Sequence, residues 1–322
     1  MQIFHNPNYN FIRWRWHAIA LSLAIIIAGA AVVATRGLSL GIDFSGGTLV
    51  TVQFEQAVTE DQVRSAVSGI PGDKVVQQYG PASDRQIMIR LPQVESAEQG
   101  TSLEQGSRQI EEALQKAGLP KFELLNRDIV GPVIGADLQR KGLYATLASI
   151  LAITFYIAVR FRPSFAVGAI AATFHDLLVT LAFLAFFGYD LSLNVVAAIL
   201  TITGYSVNDT IVVFDRVREN MRSKRREPLE QVVNTAVNQT LSRTIITAGT
   251  TFLSVLALYL FGGEALRGFS FTMLVGVLSG TYSTVFIASS LAILLSKKPQ
   301  TAVTPAADAA RAGRKQKGVK AS

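Results

Sequence analysis

The sequence predicts an α-helical membrane protein of six transmembrane helices, with a periplasmic α+β domain of ferredoxin-like pattern inserted between helices 1 and 2. Three observations carry that expectation. Of the 322 residues, 49% are hydrophobic and only 16% charged, and mean hydropathy is positive. Apolar runs long enough to cross a hydrocarbon layer of about 30 Å recur along the chain. One long stretch, between Gln53 and Arg127, lacks such runs and instead switches between period-two and helical patterns.

Residues 1–35 read as a cytoplasmic N-terminus and a first span, whose apolar run lies near 17–35. Arg13 and Arg15 precede it and Ala31 and Ala34 fall near its end, as in a cleavable signal. Its apolar core exceeds the roughly 7–15 residues of a signal h-region, so a retained anchor is expected. Trp14, Trp16 and His17 suit an interfacial belt.

Residues 36–138 read as the folded insert. Thr48–Phe54 alternates as a strand, Thr59–Ile70 follows a helical period, and Lys74–Tyr79 and Gln86–Leu91 alternate again around Gly80, Pro81 and Ser83. Leu103–Ala117 reads as a second helix, with Ile110 and Leu114 four apart; Gly118 and Pro120 stop it, and Phe122–Val130 returns to strand. The order βαββαβ is the split βαβ pattern. It hosts many functions and specifies none alone.

Residues 139–296 hold five more apolar runs, near 142–159, 164–187, 191–214, 243–262 and 268–295. With six crossings, Arg13, Arg15, Arg160, Arg162, the Arg216–Arg226 cluster, Lys297 and Lys298 share one side, which the positive-inside rule makes cytoplasmic. The insert, from Arg36 to Lys141, carries 11 Lys/Arg against 14 Asp/Glu, so the overall +7 sits in membrane-flanking loops and the tail. That distribution favours orientation over nucleic-acid binding. Residues 297–322 form a basic tail expected to be disordered, with seven basic residues able to meet anionic lipid headgroups.

Two charges set into separate apolar spans carry the functional reading. Asp209 is the only acidic residue between Leu191 and Phe214, and Arg243 is the only charged residue between Gln231 and Gly263. A charge at a bilayer centre costs at least about 2.5–3.5 kcal/mol, so it needs a partner, water or a task. Tyr205 and Asn208 lie with Asn194 and Thr201 along one helical face, with Asp209 at its edge. Desolvation favours the neutral acid and a nearby guanidinium favours the carboxylate, so relative movement of the two would switch proton affinity. The bland alternative is a static ion pair or a partly solvated residue near the cytoplasmic end. Arg243 has two readings, an interface anchor snorkelling to water or a deeper functional cation, with Thr247, Thr250 and Ser254 continuing its face. His175 and Asp176 in the third span, flanked by Thr173 and Thr180, fit either a proton relay or a polar lock between helices. Tyr205 and Asn208 fit the same two roles. Gly276 and Gly280, with Ser279 and Ser283 nearby, read as a close-packing GxxxG.

No phosphate-binding loop, metal-spaced histidine pair or Ser-His-Asp set is present, and the chain has no cysteine. No enzyme activity, cofactor or metal is therefore expected. The glycine cluster Gly41-Ile42-Asp43-Phe44-Ser45-Gly46-Gly47-Thr48 reads as a tight turn with close backbone approach before a strand.

That octet, the run Asn208-Asp209-Thr210-Ile211-Val212-Val213-Phe214-Asp215-Arg216-Val217-Arg218-Glu219-Asn220 and the later Ser242-Arg243-Thr244 together resemble the SecF family of bacterial protein-translocase subunits. The resemblance implies half of a transporter of the resistance-nodulation-division superfamily. It implies pairing with SecD into a pseudo-twofold bundle, association with YajC and the SecYEG channel, and use of the proton motive force to draw an unfolded polypeptide outward in late export. Family proton-path positions fall on Asp209 and Arg243, His175-Asp176 match a common motif of the third span, and Gly41, Asp43, Gly46 and Gly47 form the signature turn. A proton-coupled exporter of lipids or small molecules is the alternative from the same superfamily.

Overall fold

The computed structural model describes residues 7–71, 74–79, 82–91 and 101–296. The expected disordered tail, 297–322, lies outside them. Among the described residues, six helices are long and apolar enough to cross a membrane. They are α1 (Arg15–Arg36), α5 (Pro132–Arg160), α6 (Pro163–Phe187), α7 (Leu193–Ser223), α8 (Leu229–Phe261) and the run of α9 (Glu264–Ser283) into α10 (Ser289–Leu295). Between α9 and α10 the chain makes one wide π turn, Thr284–Ala288, in which the Ser289 hydroxyl donates to the Thr284 carbonyl at 2.9 Å.

Local chemistry sets the helix ends. Proline occupies the first turn of α5 and α6, where its missing N–H costs nothing. Gly188, at φ 68°, ends α6 in the left-handed conformation. The Ser192 hydroxyl accepts from the Val195 amide at 3.3 Å and starts α7. Ahead of α1, the Tyr9 and Phe11 amides donate to Asn238 and Asn234 at 2.8 and 3.0 Å, which docks this segment on α8. Arg15 pairs with Glu230 and Arg160 with Asp215, both at the end of the bundle remote from the insert. Trp14 and Trp16 are exposed near that end.

The insert begins with one helical turn, α2 (Ile42–Ser45), then β1 (Gly47–Phe54), α3 (Glu60–Ala66), β2 (Val75–Tyr79), β3 (Gln86–Leu91), α4 (Thr101–Lys116) and β4 (Phe122–Val130). Thr59 and Gln62 form a reciprocal capping box at the start of α3. The sheet order is β2-β3-β1-β4 with every neighbour antiparallel, and a register shift bends β1 against β4 between Thr51 and Val52. The order and directions are those of the split βαβ pattern. Val50, Val52, Phe54, Val63, Ile89, Ile110 and Leu114 form the core beneath α3 and α4.

In the bundle, α6, α7 and α9 bury the largest shares of their apolar windows, while α5 and α8 leave most of theirs exposed. The chain is thus a half-covered bundle, with α1 as well as α5 and α8 largely exposed on its outside.

Candidate functional site

Asp176 lies about halfway along α6 and is 2% exposed. Its Oδ2 accepts from Ser206 of α7 at 2.5 Å and from Ser283 of α9 at 2.8 Å, and its Oδ1 accepts from Ser279 of α9 at 2.6 Å. The His175 Nδ1 stands 3.1 Å from the same Oδ1, which assigns the ring proton to Nδ1. A carboxylate offers about four lone-pair sites, and these four donors fill them. The His175 ring stacks on Tyr282, whose hydroxyl donates to the Ala18 carbonyl at 2.6 Å, so the cluster ties α1, α6, α7 and α9 together. Among the described residues, His175 Nε2 is buried with no hydrogen-bond partner.

One helical turn along α7 from Ser206, Asp209 is satisfied on one side only. Its Oδ1 accepts from Thr244 of α8 at 2.8 Å, while Oδ2 is buried and unpartnered among the described residues. Thr284, in the π turn, stands beside the carboxyl, with its own hydroxyl 2.9 Å from that of Thr210. Arg243 precedes Thr244 on α8, exposed at the surface. It acts electrostatically on Asp209 but makes no ion pair with it within 4 Å among the described contacts. The two residues are neighbours across α7 and α8, and the direct pair is not formed in this conformation.

The rest of the polar stripe opens outward. Tyr205 is half-buried against Thr251 and Thr247 of α8, and Asn208 and Thr201 are exposed. Thr247, Thr250 and Ser254 are exposed as well, their hydroxyls donating to the carbonyls of Arg243, Ile246 and Thr250 at 2.9, 2.9 and 3.0 Å. A polar seam therefore runs along the joint outer face of α7 and α8, a surface that lipid tails cannot match.

Sequence reasoning missed Ser206, Thr244 and Thr284 as neighbours of the two carboxyl groups, and read Ser279 and Ser283 only as packing residues. The available signal was the small-residue run on α9. A Cβ on Gly280 would stand 2.9 Å from that of Ser206, and one on Gly276 would run into Ile202. That close approach brings the serines of two helices onto one acid.

The signature turn lies elsewhere, where the insert meets the bundle. The Gly41 amide donates to the Leu191 carbonyl at 2.8 Å, and a Cβ there would stand 3.0 Å from Ser192 Cα, so a side chain would have to push the two backbones apart. Gly46 and Gly47, at φ 69° and 116°, turn the chain from α2 into β1. Asp43 accepts from the Leu193 amide at 2.7 Å, a negative charge on the positive end of α7. Beside it, burial and then the Tyr259 hydroxyl push the Tyr189 phenol well above its ordinary range. Among the described residues, no three His, Cys, Asp or Glu side chains converge as a metal site.

Residues 109–298 match the family described as protein export membrane protein SecD/SecF, C-terminal, and residues 31–58 match the SecD/SecF GG motif. The chain is 43% identical to a protein translocase subunit SecF from Desulfurispirillum indicum, over 88% of this chain and 90% of that one. It is 39% identical to the same subunit of Escherichia coli O157:H7, over 90% and 88%. Its fold superposes on a crystal structure of SecDF, a translocon-associated membrane protein from Thermus thermophilus, with a TM-score of 0.79 and 34% identity. That match covers 91% of this chain but only 39% of the Thermus chain, so the chain spans about two-fifths of that larger protein. A bundle with an outward polar seam, a glycine turn seated on α7 and these relatives make one conclusion: the chain belongs to the SecD/SecF family of protein export membrane proteins, as a SecF-type translocase subunit.

Proposed function

We propose that the chain is one half of a proton-driven export motor, in which Asp209 takes up and releases a proton at an interface completed by SecD. The observation that carries this reading is the half-satisfied Asp209 carboxyl, with one oxygen bonded to Thr244 and the other buried and unpartnered, beside an exposed Arg243. An unpartnered buried carboxylate oxygen is costly, and a bound proton or a cation from a facing subunit relieves that cost. The exposed polar seam of α7 and α8 supports the same docking side, since polar groups within a membrane face protein or water. Arg243 and the SecD groups opposite it act as the alternating counter-charge.

In this reading the Arg15 and Arg160 end of the bundle is cytoplasmic and the sheet domain is periplasmic, as the basic residues of the short loops favour. SecYEG, YajC and an emerging unfolded polypeptide are the working partners. Each charge crossing the membrane yields about 2.3 kcal/mol per 100 mV, and each pH unit adds about 1.4 kcal/mol. A shift of a two-state element from 1:99 to 99:1 needs about 5.5 kcal/mol, so two protons suffice at about 100 mV and one pH unit, and one already shifts the balance most of the way. The Asp176 cluster acts here as a lock that holds α6, α7 and α9, because its acceptor sites are already filled.

Replacing Asp209 by Asn keeps the shape and removes the titrating proton. Export driven by the proton motive force is expected to fall to background in vesicles holding the variant with SecD, and proton flux with it, while the complex still assembles. Undiminished export by the Asn variant rejects the proposal.

A further inference from the structure

The proton site lies midway along α7 and the sheet domain meets the start of that helix, and a motor needs a joint between them. The first residues of α7 are held by the insert rather than by the bundle alone. Leu191 and Leu40 form an isolated parallel bridge, with the Leu191 amide donating to the Ser39 carbonyl and the Gly41 amide to the Leu191 carbonyl, both at 2.8 Å. Asp43 then accepts from Leu193 within the first turn of α7. From above, Arg90 of β3 reaches down to Asp190, and its second nitrogen donates to the Leu40 carbonyl at 2.7 Å. The Arg90 and Asp190 side chains are only 9% and 13% exposed, so this ion pair is buried between domain and bundle. Asp84, at the turn before β3, meets Arg267 of α9 at 3.5 Å.

We infer that Arg90, Asp190 and Asp43 form the transmission joint of the subunit, converting displacement of α7 into displacement of the sheet domain. The inference rests on the proton-driven reading above. Arg90 binds the strand that neighbours β1 to the residue leading into α7, and Asp43 binds the segment entering β1 to the helix itself. Breaking one member leaves a buried charge without its partner and frees the domain from the helix. These are positioning residues, remote from both carboxyl sites, so their loss uncouples rather than blocks.

The test uses the full chain with SecD in vesicles, carrying Asp190→Asn, Arg90→Gln, the charge exchange Arg90→Asp with Asp190→Arg, or Asp209→Asn. Proton flux and export are measured on each. The joint predicts that the single variants at 90 and 190 keep flux within about twofold while export falls about tenfold, a coupling loss of ordinary allosteric size. The charge exchange regains at least half of the export. Because the chain contains no cysteine, spin labels on Lys116→Cys and Arg222→Cys read the distance from α4 to the far end of α7. That distance is narrowly distributed in the parent and broadens in Asp190→Asn. Unchanged export and an unchanged distance distribution in Asp190→Asn overturn the joint, as does equal loss of flux and export with no recovery in the charge exchange. Flux that survives Asp209→Asn overturns the proton-site reading instead, and the distance measurement then still decides the joint.

Discussion

At the centre of the sheet domain the fully buried side chains include Val50, Val52, Phe54, Ile89, Ile110 and Leu114, whereas midway through the bundle they include, beside small apolar residues, Ser206, Thr210, Ser283 and Thr284. The first set packs as water-excluded hydrocarbon. The second packs through hydroxyls bonded to Asp176, to each other and to helix carbonyls. The contrast follows from the solvent. Outside a membrane, burying apolar area yields about 25 cal/mol per Å². Against lipid tails that gain vanishes, and helices associate through close approach of small residues and interhelical hydrogen bonds. The bundle also holds apolar clusters, one around Phe165, Phe214, Val217, Val233 and Ala288 and two smaller ones around Ala198, Ile202 and Met273 and around Leu184, Val195 and Ile199. An acid can sit where the chain is already polar, and so the domain has no equivalent of the Asp176 site.

Three substitutions test that contrast. Phe54→Ala, in the water-facing domain, is expected to cost about 3–5 kcal/mol. Hydrogen exchange across β1 and β3 in the intact chain reads the loss; a cost below about 1 kcal/mol would mean the domain leans on the bundle rather than on its own core. Gly276→Leu forces a side chain into Ile202 and is expected to cost about 1–3 kcal/mol, visible as lower thermal stability in detergent. If it is tolerated, close approach of α7 and α9 is not what holds the bundle. Ser279→Ala removes one of the four Asp176 donors and is expected to cost only about 0.6 kcal/mol, with export unchanged. A much larger export defect than stability defect at Ser279 would make Asp176 a participant in proton transfer rather than a lock.

Much of the domain was legible because its signals are local. Alternation located β1, β3 and β4 almost to the residue, and the stop at Gly118 and Pro120 ended α4. The spans were legible in number but not in length. Hydropathy registers the part of a helix that meets lipid, so the fifth apolar run started near 243, while backbone hydrogen bonding carries α8 back to Leu229. α5 likewise starts at Pro132, one residue after β4 and Gly131, because proline and glycine set the boundary rather than apolarity. The candidate site was half legible. A lone acid and a lone base in apolar runs stand out, so Asp209 and Arg243 could be named. Their separation could not, since no sequence pattern tells which face of α8 looks away from α7. The serines around Asp176 come from two helices, α7 and α9, that are far apart in sequence, and nothing in a single chain pairs them.

The wide turn at Thr284–Ala288 begins next to both acids, since Ser283 just before it donates to Asp176 and Thr284, its first residue, stands beside Asp209. A turn of this kind holds one residue more than the helix around it, and that spare residue is slack. Passing the slack along by one step would rotate Ser283 or Thr284 by about a quarter turn, since successive helical residues lie about 100° apart. The sixth span can therefore exchange hydroxyls between neighbours without unwinding, like a zip whose slider moves while both rows stay closed.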